Sequence, residues 1–451
     1  MGAVLTESGG SEPMSVRRQR TCALALTFGL LVAACGNEKS GNDATTPPAN
    51  QPGDAGSKGG PAADQFADLK RVPEPKPCTN DPGVSDTEIK VGTIGIESGP
   101  TAISFSATLD GMKARIDKAN ADGELGDRKI ILVTRDDTGD PTRNGEVARD
   151  LVEQEKVFGI LEATTASNGS SDYLAEKGIP VTGWHVGSPV WSTLPNMFTF
   201  RQGPAADPEN EYTDRNAKLL ADRGATKIAL IGLSNQASAL FIKRIKKSIE
   251  QTDSGIEVVY ENVSIPPTQT DFTAEVQAIE SSGADGIYTS MDLLQNTALN
   301  DGLSKTGVDI KATIFPGGYD PRVLNLPGME GSVFGLEFYP FELGKPAFEA
   351  FDAAAPEDVV RGQIPFIGWL SAEMFIRGLK EAGPGCPTRK AFIANLRLVD
   401  DYDGGGAFDP VDLSKGYGKE FPCAYYVQVQ QAVFVPQYDG EPFCGEPITL
   451  K

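Results

Sequence analysis

Glu88-Ile-Lys-Val-Gly-Thr-Ile-Gly-Ile-Glu-Ser-Gly-Pro100 is the stretch on which the reading of the fold turns. An apolar, β-branched run ends in Ser-Gly-Pro, as expected of a buried strand that opens into a loop. Leu109, Met112, Ile116 and Ala119 then recur at three- and four-residue spacing, which gives a helix with one apolar face. Strands are expected at 129–134, 157–161 and entering Gly183-Trp184, with helices over 142–154 and closing at 173–177. The run 197–201 ends this series. Strands that alternate with helices of this length build a parallel sheet with helices on its faces.

A second series follows. A helix is expected over 205–223, stopped by Gly224. Strands at 227–232, 257–263, 286–290 and 311–315 alternate with helices near 237–252, 271–282 and 293–306. Two such series give an α/β fold of two similar Rossmann-like lobes. The remainder makes no third domain by this pattern: a strand at 332–338, helices near 345–353, 364–382 and 388–397, then strands at 424–430 and 433–436. Late helices followed by late strands imply that the chain crosses back into each lobe, making a multi-strand hinge.

The N-terminal end carries an export signal. Arg17, Arg18 and Arg20 precede an apolar run from Cys22 to Val32, then Ala33-Ala34-Cys35-Gly36. A basic cluster, a short apolar core and small residues before a cut site mark a secretory signal. The run is too short to span a bilayer, which takes about 20 helical residues. Met14 makes a better initiator than Met1, because it leaves an ordinary signal length. Val32-Ala33-Ala34-Cys35 resembles a bacterial lipobox, which implies diacylation of Cys35; two chains suffice for stable anchoring where one does not. The Gly-, Pro-, Ala-, Asn- and Ser-rich stretch after it reads as a flexible tether. The expected domains are a signal at 1–34, a lipidated Cys and tether at 35–77, lobe 1 at 78–203 plus 341–404, and lobe 2 at 204–340 plus 405–451.

Composition narrows the function. The formal net charge is −21 over 451 residues. The signal segment holds three Arg and two Glu, so the mature chain stands near −22. Nucleic acid is then disfavoured as a partner, since phosphate binding relies on Lys and Arg. Cys78, Cys386, Cys423 and Cys444 remain after export, enough for two disulfides with three possible pairings. The expectation taken is Cys386–Cys423 with Cys78–Cys444. No C-x-x-C pair or clustered His suggests a metal site. There is no G-x-S-x-G, P-loop or H-E-x-x-H, and Gly92, Gly95 and Gly99 lack the dinucleotide spacing. With a single His, a Ser-His-Asp triad has no supporting nucleophile motif. No enzyme, cofactor or metal is expected.

Glu88–Pro100 resembles the opening strand of the leucine/isoleucine/valine-binding family of type I periplasmic binding proteins. Further pieces agree in order: Asp136-Asp137 with Asp140-Pro141, Gly178-Ile-Pro-Val181, Asp271-Phe-Thr273 and Ala284-Asp-Gly-Ile-Tyr288. The resemblance covers about residues 86–440. It implies two lobes joined by three crossovers, near 201–206, 336–342 and 403–410, and delivery of a captured solute to an ABC permease. Together with the lipobox, the expected chain is an extracytoplasmic monomer anchored to the membrane through Cys35. A surface sensor or scavenger that works without a permease is the alternative.

Open α/β sheets bind ligands beyond the carboxyl ends of their strands. In lobe 1 these ends are the loops 98–105, 162–167 and 184–188, which offer Ser98, Phe105, Thr164, Thr165, Trp184 and His185. The resemblance makes Thr164 the best match for a hydroxyl that holds a solute's carboxylate, with Thr165 close behind. Either Thr also suits the cap of a helix starting near Asn168, and the two roles are compatible. His185, the only His, is a satisfied loop residue or, by its match to a ligand-touching position, part of the pocket. Trp184 and Trp191 flank it as packing or ligand contacts. Lobe 2 offers Gln236, Asp292 and Tyr319. Here the chain departs from the family: Phe315-Pro-Gly-Gly-Tyr319 carries no carboxylate where branched-chain binders hold the ammonium, and Ser234-Asn-Gln-Ala237 lacks the expected aromatic residue. The cargo then fits an amide, an aromatic carboxylate or another amino acid-like solute as well as a branched-chain amino acid.

Overall fold

A computed structural model describes residues 69–79, 81–201 and 203–449. The signal, Cys35 and most of the tether lie outside the described residues.

Lobe 1 opens with β1 (Glu88–Gly95), α1 (Ala107–Asp122), β2 (Lys129–Asp136), α2 (Pro141–Glu153), β3 (Gly159–Ala163), α3 (Ser171–Glu176), β4 (Val181–Trp184) and β5 (Met197–Thr199). The sheet runs β2-β1-β3-β4-β5, every pair parallel. β1, β3 and β5 are buried almost throughout, as a sheet covered by helices on both faces requires. α2 shows how local sequence sets a helix start: the Asp140 side chain accepts from the Arg143 N–H, and Pro141 takes the first helical position.

Lobe 2 contains β6 (Glu211–Thr213), α4 (Arg215–Asp222), β7 (Lys227–Leu233), α5 (Gln236–Gln251), β8 (Glu257–Ile265), α6 (Thr273–Ser282), β9 (Gly286–Ser290), α7 (Leu293–Ser304), β10 (Ala312–Phe315) and β11 (Val333–Leu336). The chain then returns to lobe 1 for α8 (Pro346–Ala354), α9 (Gln363–Ala382) and α10 (Arg389–Leu396). It ends in lobe 2 with β12 (Cys423–Gln430), β13 (Val433–Pro436), β14 (Phe443–Cys444) and β15 (Pro447–Thr449). The second sheet runs β13-β12-β11-β10-β9-β7-β8; it is parallel except for the late strands β12 and β13, which join antiparallel at one edge.

The longest helix, α9, is buried along most of its length. It crosses α1 at two glycines: a Cβ on Gly111 would stand 1.7 Å from the Pro365 carbonyl oxygen, and one on Gly368 would stand 1.8 Å from that of Thr108. The helices touch backbone to backbone, so no larger residue fits at either point.

Three crossovers join the lobes, at 200–210, 337–345 and 397–422, and Arg201 lies at their meeting point. From the first crossover it donates to the Glu337 carbonyl of the second at 3.1 Å. Its guanidinium stacks 4.0 Å from the ring of Phe421 in the third and 5.2 Å from that of Tyr425. Burial pulls it down to about 10, still fully charged at neutral pH. The second and third crossovers are also tied directly, by Tyr339 N–H to the Ala407 carbonyl and by the Tyr339 hydroxyl donating to Asp409, which also accepts from Tyr425 on β12.

The structure corrects three expectations. The disulfides are Cys78–Cys386 and Cys423–Cys444, not Cys386–Cys423 and Cys78–Cys444. Cys386 follows α9 on lobe 1, where the N-terminal segment also lies, whereas Cys423 and Cys444 face each other across the β12–β14 ladder of lobe 2. A disulfide needs Cα atoms within about 7 Å, and each observed pair meets this inside one lobe, at 5.7 and 4.0 Å. The helix expected over 205–223 begins only at Arg215. Pro204 and Pro208 oppose an earlier start, and residues 211–213 pair as a strand with β15. Residues 71–74, expected within the tether, are held on lobe 1: Arg71 pairs with Glu381, Val72 N–H donates to Asn395, and the Glu74 carboxylate accepts from the Gly385 and Cys386 N–H groups.

Candidate ligand-binding cleft

Loops at the carboxyl ends of β1, β2 and β3 converge on lobe 1. After β1, Ser98 Oγ donates to Asp136 at 2.5 Å. After β2, Asp137-Thr138-Gly139-Asp140 forms a tight turn with φ of 55° at Thr138 and 74° at Gly139, closed by Asp140 N–H to the Asp137 carbonyl. Glycine suits this turn, since a Cβ on Gly139 would press on Ile96 at 3.2 Å and Thr165 Oγ1 at 3.4 Å. Beneath them lies a buried polar cluster that the sequence reading missed. Asn144 donates to both Asp137 and Glu162, and Thr164, only 1 % exposed, points its hydroxyl inward at Asp137 while accepting from Ala166 N–H. Burial, aided by Asp137, pushes Glu162 up to about 7.

The loop after β4 carries the aromatic wall. The Phe105 and Trp184 rings lie 5.5 Å apart, tilted by 39°. His185-Val186-Gly187-Ser188 is a type I′ turn, with φ of 43° at Val186 and 76° at Gly187 and a Ser188 N–H to His185 carbonyl bond of 2.8 Å. A β-branched residue in the left-handed region is strained, and such strain gathers at functional sites. The turn aims His185. Gly187 N–H donates to Nδ1, which leaves the ring proton on Nε2, and Nε2 donates to Glu337 Oε1 at 2.8 Å. Trp184 Nε1 donates to the other oxygen of Glu337 at 3.1 Å. Burial pushes Glu337 up, but His185, Arg201 and Trp184 outweigh it and hold the carboxyl below its ordinary value.

Lobe 2 contributes fewer poised groups. Gln236 is exposed in the first turn of α5, beside its cap Asn235. Asp292 caps α7 through a 2.9 Å bond from Gln295 N–H, and burial raises its carboxyl. Tyr319 is a core residue. It is 2 % exposed, stacks on Phe341, donates its hydroxyl to Glu342 and accepts from Phe341 N–H. Gln363, at the start of α9, reaches over from lobe 1 to accept from the Gly318 and Tyr319 N–H groups.

Of the residues singled out from sequence, Phe105, Trp184 and His185 therefore form one cluster. Ser98 and Thr165 belong to the neighbouring loops, Gln236 and Asp292 lie on lobe 2, and Thr164 and Tyr319 are turned into the interior. Glu337 and Arg201 were not singled out. Their only signal is a charge placed directly after an apolar strand, in Val-Phe-Gly-Leu-Glu337 and Met-Phe-Thr-Phe-Arg201.

The sequence pattern described as periplasmic binding protein matches residues 88–433. The chain belongs to that family. Among its curated relatives is a Leu/Ile/Val-binding protein homolog of Brucella melitensis, 28% identical over 207 residues, 45% of this chain and 54% of the relative. The chain thus spans little more than half the length of that relative. Among solved structures, the solute binding protein of an R. palustris ABC transporter in complex with benzoate has a TM-score of 0.66 at 18% identity, covering 79% of this chain and 97% of that one. A branched chain amino acid ABC transporter protein from Thermus thermophilus with bound valine has a TM-score of 0.67 at 15% identity, covering 80% and 98%. These likenesses show the fold: two α/β lobes of the type I periplasmic binding protein.

A cavity of about 560 Å³ lies elsewhere, lined among others by Leu69, Lys177, Arg389 and Arg397. Its lining residues Gly178 and Pro195 precede β4 and β5, so it opens at the amino ends of the strands, away from the cleft loops.

Proposed function

We propose that the protein is an extracytoplasmic receptor that captures a small solute between its lobes and hands it to an ABC importer, without catalysing a reaction. The observation that carries this is the strained β4 turn, which sets Trp184 and His185 against Glu337 on a crossover between the lobes. A group gripped there senses both lobes at once, and closure about three crossovers is a hinge motion. Exposed apolar residues at the carboxyl ends of both sheets, Ile103 after β1 and Leu294 after β9, suit a partly apolar cargo. The Phe105–Trp184 wall suits an aromatic or branched body, and the benzoate- and valine-bound relatives support a carboxylate-bearing solute, with an amide as the other option. Anchoring through Cys35 and a tether up to about residue 70 would keep this trap near the membrane, working as a monomer beside its permease. Among the described residues, no helix is long and apolar enough to cross a membrane.

A thermal-shift screen of amino acids, aromatic carboxylates, fatty acids, amides and ureas tests the reading. A true cargo at 100 times its Kd stabilises by ~2.7 kcal/mol. Turnover of any of these compounds by the purified protein would sink it.

A further inference from the structure

Two adjacent side chains at the end of β4 offer N–H donors to the two oxygens of a single carboxylate: Trp184 Nε1 to Glu337 Oε2 and His185 Nε2 to Glu337 Oε1. Paired donors, one to each oxygen, are the arrangement that recognises a planar carboxylate. A purely structural clip would be expected in a sealed core. Glu337 instead keeps 30% of its side chain exposed and His185 keeps 16%. The fork is also built at a cost, with Val186 held at φ 43° and Gly187 N–H spent on fixing the imidazole tautomer. The Phe105 ring beside Trp184 adds an apolar wall next to the carboxylate.

We propose that the Trp184–His185 fork is the carboxylate-binding subsite of the cleft, and that Glu337 occupies it in place of the solute's carboxylate while the cleft is empty. This rests on the solute-capture reading above and narrows the cargo to a carboxylate with an apolar or aromatic body. Binding then replaces one carboxylate by another: the solute takes both N–H donors, and Glu337 turns toward solvent while its backbone carbonyl stays with Arg201. Because only the fraction of molecules with a vacant fork can bind, Glu337 lowers the apparent affinity by that fraction. The substitution also couples cargo to hinge, since Glu337 lies where the second crossover leaves lobe 2.

The test uses benzoate as the probe, benzamide as its neutral counterpart, and untagged protein, in which His185 is the single histidine and so gives unambiguous imidazole NMR signals. Glu337→Ala should bind benzoate at least about tenfold more tightly than the native chain, with no such gain for benzamide, and Glu337→Gln should fall between. Adding Trp184→Phe to Glu337→Ala keeps a ring, removes one donor and should lose about tenfold again. Benzoate should shift the His185 signals in every variant that binds it. A folded Glu337→Ala or Glu337→Gln protein that binds benzoate no better than the native chain overturns the proposal. So does a cargo that binds less tightly without the Glu337 carboxylate, which would make Glu337 a contact for a cationic group. If a cargo from the screen binds with the His185 signals unmoved and affinity indifferent to both positions, the fork fails while solute capture stands. Failure of the whole panel against native and variant chains overturns both.

Discussion

Glu162 is a carboxyl group placed where charge is expensive. It is fully buried in β3, under the Thr164 loop, with one oxygen accepting from Asn144 at 2.9 Å and Asp137 sharing that same amide. Burial first, and then the neighbouring Asp137, push it from an ordinary 4.5 to about 7. The folded chain therefore holds this proton more tightly than the unfolded chain does. Stability from this group is fully present below about pH 4.5 and is lost as pH rises toward 7, because the unfolded state ionises first. Integrating between the two values gives a loss of roughly 2–3 kcal/mol from pH 5 to pH 8, at about 1.4 kcal/mol per pH unit. Glu162→Gln keeps the shape and removes the titration. Equilibrium urea unfolding of both proteins at pH 5 and pH 8, disulfides intact, isolates the effect. Any difference at pH 5 reports mainly hydrogen bonding, and the change between the two pH values reports the proton. The variant should gain roughly 2–3 kcal/mol on the native chain between pH 5 and pH 8. A difference that stays constant with pH would refute the buried-carboxyl reasoning.

Val186→Asn places Asn-Gly in a type I′ turn, the pairing such turns favour, and should raise stability by about 1 kcal/mol in thermal unfolding. Gly111→Ala drives a methyl into the Pro365 carbonyl, so α1 and α9 must separate; a loss of about 3 kcal/mol or more, or failure to fold, is expected, whereas Gly123→Ala in an open C-cap should cost only about 1 kcal/mol for its positive φ. The two disulfides close loops of very different span, 308 and 21 residues. In the chain-entropy description, removing Cys78–Cys386 should cost about 2 kcal/mol more than removing Cys423–Cys444, which denaturation of the paired Cys→Ala variants would measure.

Much of the architecture was legible because strands such as 227–233 and 286–290 are short apolar runs bounded by polar or glycine-containing turns, and helices such as 273–282 end at a glycine. The α9–α1 contact was not, since nothing local marks Gly111 and Gly368 as partners. Cysteine pairing failed although the crossover expected near 403–410 already put Cys386 on lobe 1 and Cys423 on lobe 2: the expected pairing bridged the lobes, whereas each observed disulfide closes within one. The cleft was half legible. Loop position after a strand picked out Phe105, Trp184 and His185, which do assemble. The same rule also picked Thr164 and Tyr319, whose side chains turn inward: Thr164 toward the buried Asp137, and Tyr319 into the aromatic core, where it stacks on Phe341 and donates its hydroxyl to Glu342. Glu337 and Arg201 escaped because their roles come from three crossovers distant in sequence meeting at one point.

The most direct test of the two-lobed trap is a crystal structure of the chain with a solute that stabilises it in the screen. That solute should lie between the lobes, against Phe105, Trp184 and His185, with Glu337 out of the fork. A solute seated instead in the cavity by Lys177 and Arg389, at the amino ends of the lobe 1 strands, would contradict the trap.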